Sequence, residues 1–109
     1  MAKKRATPKR DITAITNLLI SGQVWKVIWN DDGFENYSEH VWGHCRSESQ
    51  EIHIASGLSE DMLFITLLHE MVHASLIGRR LLTEEDICNF LPEAMISFLR
   101  LNPQLAQFL

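Results

Sequence analysis

Residues 61–80 read DMLFITLLHEMVHASLIGRR, and within them TLLHEMVHAS at 66–75 sets two histidines four apart, with a glutamate directly after the first. The stretch predicts a helix. Ser59 offers an N-cap oxygen, Glu60 and Asp61 suit the positive end of the helix dipole, and Gly78 ends the run before Arg79 and Arg80. Met62, Ile65, Leu67, Leu68, Met71, Val72 and Leu76 leave scarcely a polar side, so the helix is expected to run buried through the middle of the domain. His69, Glu70 and His73 are costly in such a setting unless something satisfies them.

Residues four apart on a helix lie about 40° apart around its axis, so His69 and His73 project side by side. Two imidazole nitrogens at that spacing suit adjacent corners of a tetrahedron around Zn²⁺. Glu70 sits about 100° round from His69, beside such an ion and placed to take a proton from water. The H-E-x-x-H spacing therefore carries a mechanism of two ligands and a general base. The plainer alternative is a pair of hydrogen-bonded core histidines with one buried ion pair, an expensive way to build a core.

Outward from this helix the chain reads as a small α+β domain. DITAITNLLISG at 11–22 predicts an N-terminal helix, capped by Asp11, with Ile12, Ile15, Leu18 and Leu19 on one face and Gly22 at its end. QVWKVIWN at 23–30 alternates Trp25, Val27 and Trp29 against Val24, Lys26 and Ile28, which predicts a strand, and NDDG at 30–33 turns the chain. EHVWGHCR at 39–46 and EIHIAS at 51–56 predict two further strands, with SESQ between them as a hairpin loop. The expectation is a short antiparallel three-stranded sheet packed against the H-E-x-x-H helix. LTEEDICNF opens a C-terminal helix with Thr83 and Asp86 as a capping box, Pro92 should bend or break it, and Asn102–Pro103 should stop it.

A catalytic zinc wants a third protein ligand and one open position. The ten residues ASLIGRRLLT allow the chain to turn and bring the C-terminal helix alongside, which makes Glu84 and Glu85 candidates for that ligand. Helical phase alone does not separate them, and either also suits a helix N-terminus as a favourable charge. A cysteine nucleophile is disfavoured because His44 and Cys45 are adjacent on a strand and point to opposite faces. His40, His44, Cys45 and Cys88 match no familiar structural zinc spacing. Trp25, Trp29 and Trp42 read as core or sheet-face residues, one of them a candidate wall of a substrate pocket, and Tyr37, His40 and His44 are unranked oxyanion donors.

TLLHEMVHAS resembles the signature of zincin metallopeptidases, with Ser75 a small departure where a larger apolar residue often stands. Over residues 23 to 105 the pattern is similar to small phage-type or bacterial zincins related to the ImmA/IrrE and SprT-like groups. A Trp-containing strand, the Gly-containing VWGHCR and the I-x-I strand IHI lead into the T-L-L-H-E helix, and LTEED opens a second helix that closes at RLNPQL. The resemblance implies a minimal zincin fold, a Zn²⁺ cofactor and a peptide or protein substrate. In gluzincin-like members a glutamate on the following helix is the third ligand, and the resemblance assigns that part to Glu85, with His69 and His73 as the other ligands and Glu70 as the catalytic base. SprT-like members use a histidine after H-E-x-x-H instead, and none follows His73. An exposed edge strand, with EIHIAS the candidate, would align an extended peptide.

The totals narrow the class. At 109 residues, 46% hydrophobic and 22% charged, the chain suits one domain over 11–109. No run approaches 18 apolar residues, so a membrane span is not expected. The basic start MAKKRATPKRD lacks a following apolar stretch and two cysteines make no disulfide framework, which together point to a cytoplasmic protein. Lys3, Lys4, Arg5, Lys9 and Arg10 are half of the ten basic residues, whereas all 14 acidic ones lie beyond residue 10. Residues 1–10 thus read as a basic, flexible arm on an acidic body. Two alternatives follow: a metal-binding regulatory or interaction module without hydrolysis, and a nucleic-acid-associated protein that uses residues 3–10.

Overall fold

The computed structural model describes residues 11–31 and 42–109. Residues 1–10, with the predicted arm, and residues 32–41, with Tyr37 and His40, lie outside the described residues.

The chain is α+β, but its sheet differs from the expected one. Four strands, β1 (Asn17–Ile20), β2 (Gln23–Asn30), β3 (Gly43–Arg46) and β4 (Glu51–Ala55), form a mixed sheet in the order β1-β2-β4-β3. β2 pairs parallel with β4, with Val27 opposite Ile52 and Trp29 opposite Ile54. The β1–β2 and β3–β4 pairs are antiparallel hairpins. The segment expected as an N-terminal helix is instead a 3-10 turn at Ile12–Ala14 followed by β1. Asp11 does cap that turn, accepting from the Thr13 amide at 3.0 Å. The helical pattern failed because Ile12, Ile15, Leu18 and Ile20 are buried while Leu19 is exposed, the alternation of a strand. Gly22 does not end a helix. With Ser21 at φ 50° and Gly22 at φ 78°, the pair forms the left-handed two-residue turn that joins twisted strands.

The sheet buries one face. Leu18, Ile20, Trp25, Val27, Ile52 and Ile54 point inward, whereas Leu19, Val24 and Lys26 point out. His44 and His53 stack on that outer face with ring centroids 4.7 Å apart. The inner face is covered by α1 (Glu60–Leu76), which presents Leu63, Leu67, Met71 and Ala74 to the core. Ser59 caps α1, its hydroxyl accepting from the Met62 amide at 3.3 Å. Contrary to the expectation of an all-round buried helix, α1 lies on the sheet with Ile65, His69, His73 and Ile77 exposed. The solvent therefore relieves both histidines and leaves only Glu70 of the trio buried.

α2 (Glu84–Leu101) begins at the expected capping box of Thr83 and Asp86 and packs Phe90, Ala94 and Phe98 into the core beside β1. Pro92 does not break it, for the helix runs through that position. Pro92 and Cys88 are both exposed, so water can take the carbonyl that a proline nitrogen leaves unpaired. Asn102 caps α2, and Pro103–Phe108 returns as a 3-10 turn that buries Leu105. Among the described residues no helix is long and apolar enough to cross a membrane, and Cys45 and Cys88 are free thiols.

Candidate metal centre

The site grows from the contact between α1 and the edge strand β3. Thr66, Glu70 and His73 follow at four- and three-residue spacing, so they share one side of α1. Gly43 lies against that side. A Cβ on Gly43 would stand 3.0 Å from Thr66 Cγ2, 3.1 Å from the His53 carbonyl oxygen and 3.2 Å from Glu70 Cγ. Only a residue without a side chain lets the strand backbone come this close to the helix at Glu70.

His69 and His73 lie above this contact with their rings edge to face, centroids 4.8 Å apart and Nε2 atoms 3.2 Å apart. Two nitrogens at about 2.05 Å from a tetrahedral Zn²⁺ would be separated by about 3.3 Å. The pair thus stands at the separation that a shared cation needs, a spacing that an N–H···N hydrogen bond also fills. His69, Glu70 and His73 place one ligand atom each within 4.8 Å of one another. Two imidazoles and a carboxylate are side chains of the kinds that hold divalent transition metals.

Glu70 is 4% exposed, yet it lines an open cleft of about 390 Å³ together with Trp42, Gly43, Ile65, Thr66 and the two histidines. Burial pushes its carboxyl above the usual carboxylate range, and the neighbouring His73 and His69 oppose the shift. The apolar wall of the cleft is Trp42, 46% exposed, and Ile65, 56% exposed, with Met62 at one end. Trp42 is held at the rim through its carbonyl, which accepts from the Ala55 amide at 2.8 Å. Of the three tryptophans it is the one that lines this cleft, while Trp25 is buried in the core and Trp29 donates its indole N–H to the Ile15 carbonyl.

The structure brings together three of the four expected site residues. Glu85, the expected third ligand, is exposed on the first turn of α2 and is not a member of the cluster, nor is Glu84. The cause is where α2 packs: its apolar face is committed to the core beside β1, so its acidic first turn is not laid along α1. His44 is on the outer face of the sheet, stacked on His53 and accepting from Arg46 Nε at 3.1 Å. Cys45 points the other way, as expected of its neighbour, and packs against the core. Burial first, and Glu70 second, raise its thiol to about 11.

EIHIAS, the expected edge strand, is β4 and lies between β2 and β3. Among the described residues, the edge beside the cleft is β3. Sequence reasoning also passed over Gly43, Thr66 and Ile65 as parts of the site. The signal for Thr66 was present in its four-residue spacing before Glu70, but nothing in the sequence showed that β3 would be the strand against α1. Set against family models, curated proteins and solved structures, the chain matches none.

Proposed function

We propose that this protein is a zinc-dependent peptidase. The observation that carries the reading is the 3.2 Å separation of the His69 and His73 Nε2 atoms at the mouth of a cleft that the Glu70 carboxylate also lines. His69 and His73 would hold the cation, and when bound it supplies a Lewis acid for the peptide carbonyl and raises the acidity of water. Glu70 takes the proton of the attacking water and returns it to the leaving amine. Its carboxyl lines the cleft beside the two imidazoles, which suits that role.

β3 offers a place for an extended substrate. The Ala55 amide donates to the Trp42 carbonyl, so the alternation of an antiparallel pair turns the backbone groups of Gly43 and Cys45 away from β4. A peptide laid along that edge pairs with them and passes the two histidines.

Glu85 stands outside the cluster. That observation favours the second reading, a module that binds metal without hydrolysis. Glu70→Gln separates the two. Metal analysis of parent and variant, each purified without chelator and given zinc, is expected to find equal zinc in both, with cleavage of a mixed peptide library only by the parent. Zinc in both proteins with no cleavage by the parent leaves the module; no zinc in either overturns both readings.

A further inference from the structure

From Asp61 onward the exposed residues of α1 fall on one line, Asp61, Ile65, His69 and His73, at four-residue intervals. Ile65 is its apolar member, 56% exposed. Isoleucine does nothing for the helix there, since glutamine, lysine or glutamate holds a helix better and suits water as well. What Ile65 does line is the cleft of the two histidines.

Two further apolar residues share that cleft. Met62 precedes Ile65 on α1, and the exposed Trp42 comes from the strand side. Among the described residues, none of the three packs into the hydrophobic core. Their setting is nevertheless fixed. The Trp42 carbonyl is bound by the Ala55 amide, and the next residue, Gly43, lies directly against Thr66 and Glu70. Of the described residues that line the cleft, only Glu70, His69 and His73 titrate. Along α1 the apolar residues stand before the histidines, and no apolar side chain of α1 lines the cleft beyond His73. Single apolar residues on a surface are ordinary. Three of them converging on one concavity, with a few polar groups at one end, have the makeup of a ligand site.

We propose that the Met62–Ile65 end of the cleft, with Trp42, is a specificity subsite for one large apolar side chain of the substrate. The inference rests on the peptidase reading. Ile65 precedes His69 by one helical turn, about 6 Å at about 1.5 Å per residue. An extended peptide covers that in about two residues. The favoured substrate accordingly carries Phe, Leu, Met or Trp at the first or second position on one side of the bond that is cut. The other side of the bond is free of that demand.

The test begins with the zinc-supplied full chain and a mixed peptide library, with the cut bonds mapped by mass spectrometry. Large apolar residues are expected to be enriched at one of those two positions, on one side of the bond only. Two fluorescent peptides of one sequence, with Phe or Ala at the enriched position, are then bound to the zinc-loaded chain carrying Glu70→Gln. Anisotropy should show the Phe peptide binding about tenfold tighter, as for a large apolar side chain partly withdrawn from water. Adding Ile65→Gln or Trp42→Ala should each cut that ratio to about threefold or less, while Trp42→Phe retains most of it. Zinc content and a thermal melt check that each variant is folded, and Ile65→Gln, at an exposed helix position, serves if Trp42→Ala does not fold. Cleavage without apolar enrichment, equal enrichment on both sides of the bond, or a Phe-to-Ala ratio that survives the substitutions overturns the subsite and leaves the peptidase reading standing. If the parent cleaves no member of the library, the peptidase reading fails and the subsite with it.

Discussion

Asn102 closes the outer edge of β1 at Leu19. Its side-chain oxygen accepts from the Leu19 amide at 2.8 Å, and its side-chain nitrogen donates to the Leu19 carbonyl at 2.9 Å and to the Phe98 carbonyl at 3.0 Å. One amide thereby imitates a neighbouring strand residue and joins the end of α2 to the sheet. An edge treated in this way has no free pair of groups there for another chain. Among the described residues, the opposite edge of the sheet is β3, beside the cleft.

Asn102→Ala should therefore be costly. Asn102 is 2% exposed, and its loss strands the Leu19 amide and carbonyl in a partly buried setting. The expected loss is about 2–3 kcal/mol. Urea unfolding should show a lower midpoint with an unchanged slope. A midpoint within error of the parent would mean that water replaces the clasp without penalty.

Gly43→Ala should damage the site more than the fold. The new methyl would meet Thr66 Cγ2, the His53 carbonyl and Glu70 Cγ at 3.0–3.2 Å, and the strand must shift by a few tenths of an ångström at a cost of about 1–2 kcal/mol. Peptide hydrolysis is expected to fall by at least tenfold while zinc content stays at the parent level, because the histidines lie beyond the contact. Thr66→Ser in the same chain removes the nearest carbon and should restore part of the activity. Full activity in Gly43→Ala alone would show that the close approach of β3 does not position Glu70.

Zinc content should depend on α1 and not on α2. His69→Ala and His73→Ala are each expected to abolish stoichiometric zinc in elemental analysis, whereas Glu85→Ala and Glu84→Ala retain it, since neither carboxylate belongs to the cluster of ligand atoms. Zinc lost selectively in Glu85→Ala would instead mean that the first turn of α2 moves to α1 when the ion binds.

The two thiols should differ in reactivity. Cys45 packs against the core with its thiol raised to about 11 by burial and then by Glu70, whereas Cys88 is exposed on α2. A raised thiol pKa keeps the unreactive protonated form dominant until pH approaches that value. Iodoacetamide at pH 8, followed by mass spectrometry, should label Cys88 well before Cys45. Glu70→Gln removes the nearby negative charge and should speed the labelling of Cys45. Equal rates at both cysteines would contradict the burial of Cys45.

Much of the molecule was legible from local chemistry. The H-E-x-x-H helix, its Ser59 cap, the Thr83–Asp86 box, the strand at 23–30 and the SESQ turn all follow from side-chain spacing and capping groups, which act over a few residues. The pairing of His69 with His73, and the nearness of Glu70, are likewise properties of one helix and needed nothing beyond its pitch. Local chemistry misled where two periodicities overlapped. Residues 12–20 satisfy a helical stripe, but Leu18 and Ile20 alternate as in a strand, and pairing with β2 decided between them.

Tertiary packing alone decided the rest: that β4 is interior and β3 the edge among the described strands, that Gly43 touches Glu70, and that α2 spends its apolar face beside β1 while Glu85 stays outside the His69–Glu70–His73 cluster. Each of these depends on which apolar surfaces bury each other across long stretches of chain, and the free energy of burial has no direction that a short sequence window could record.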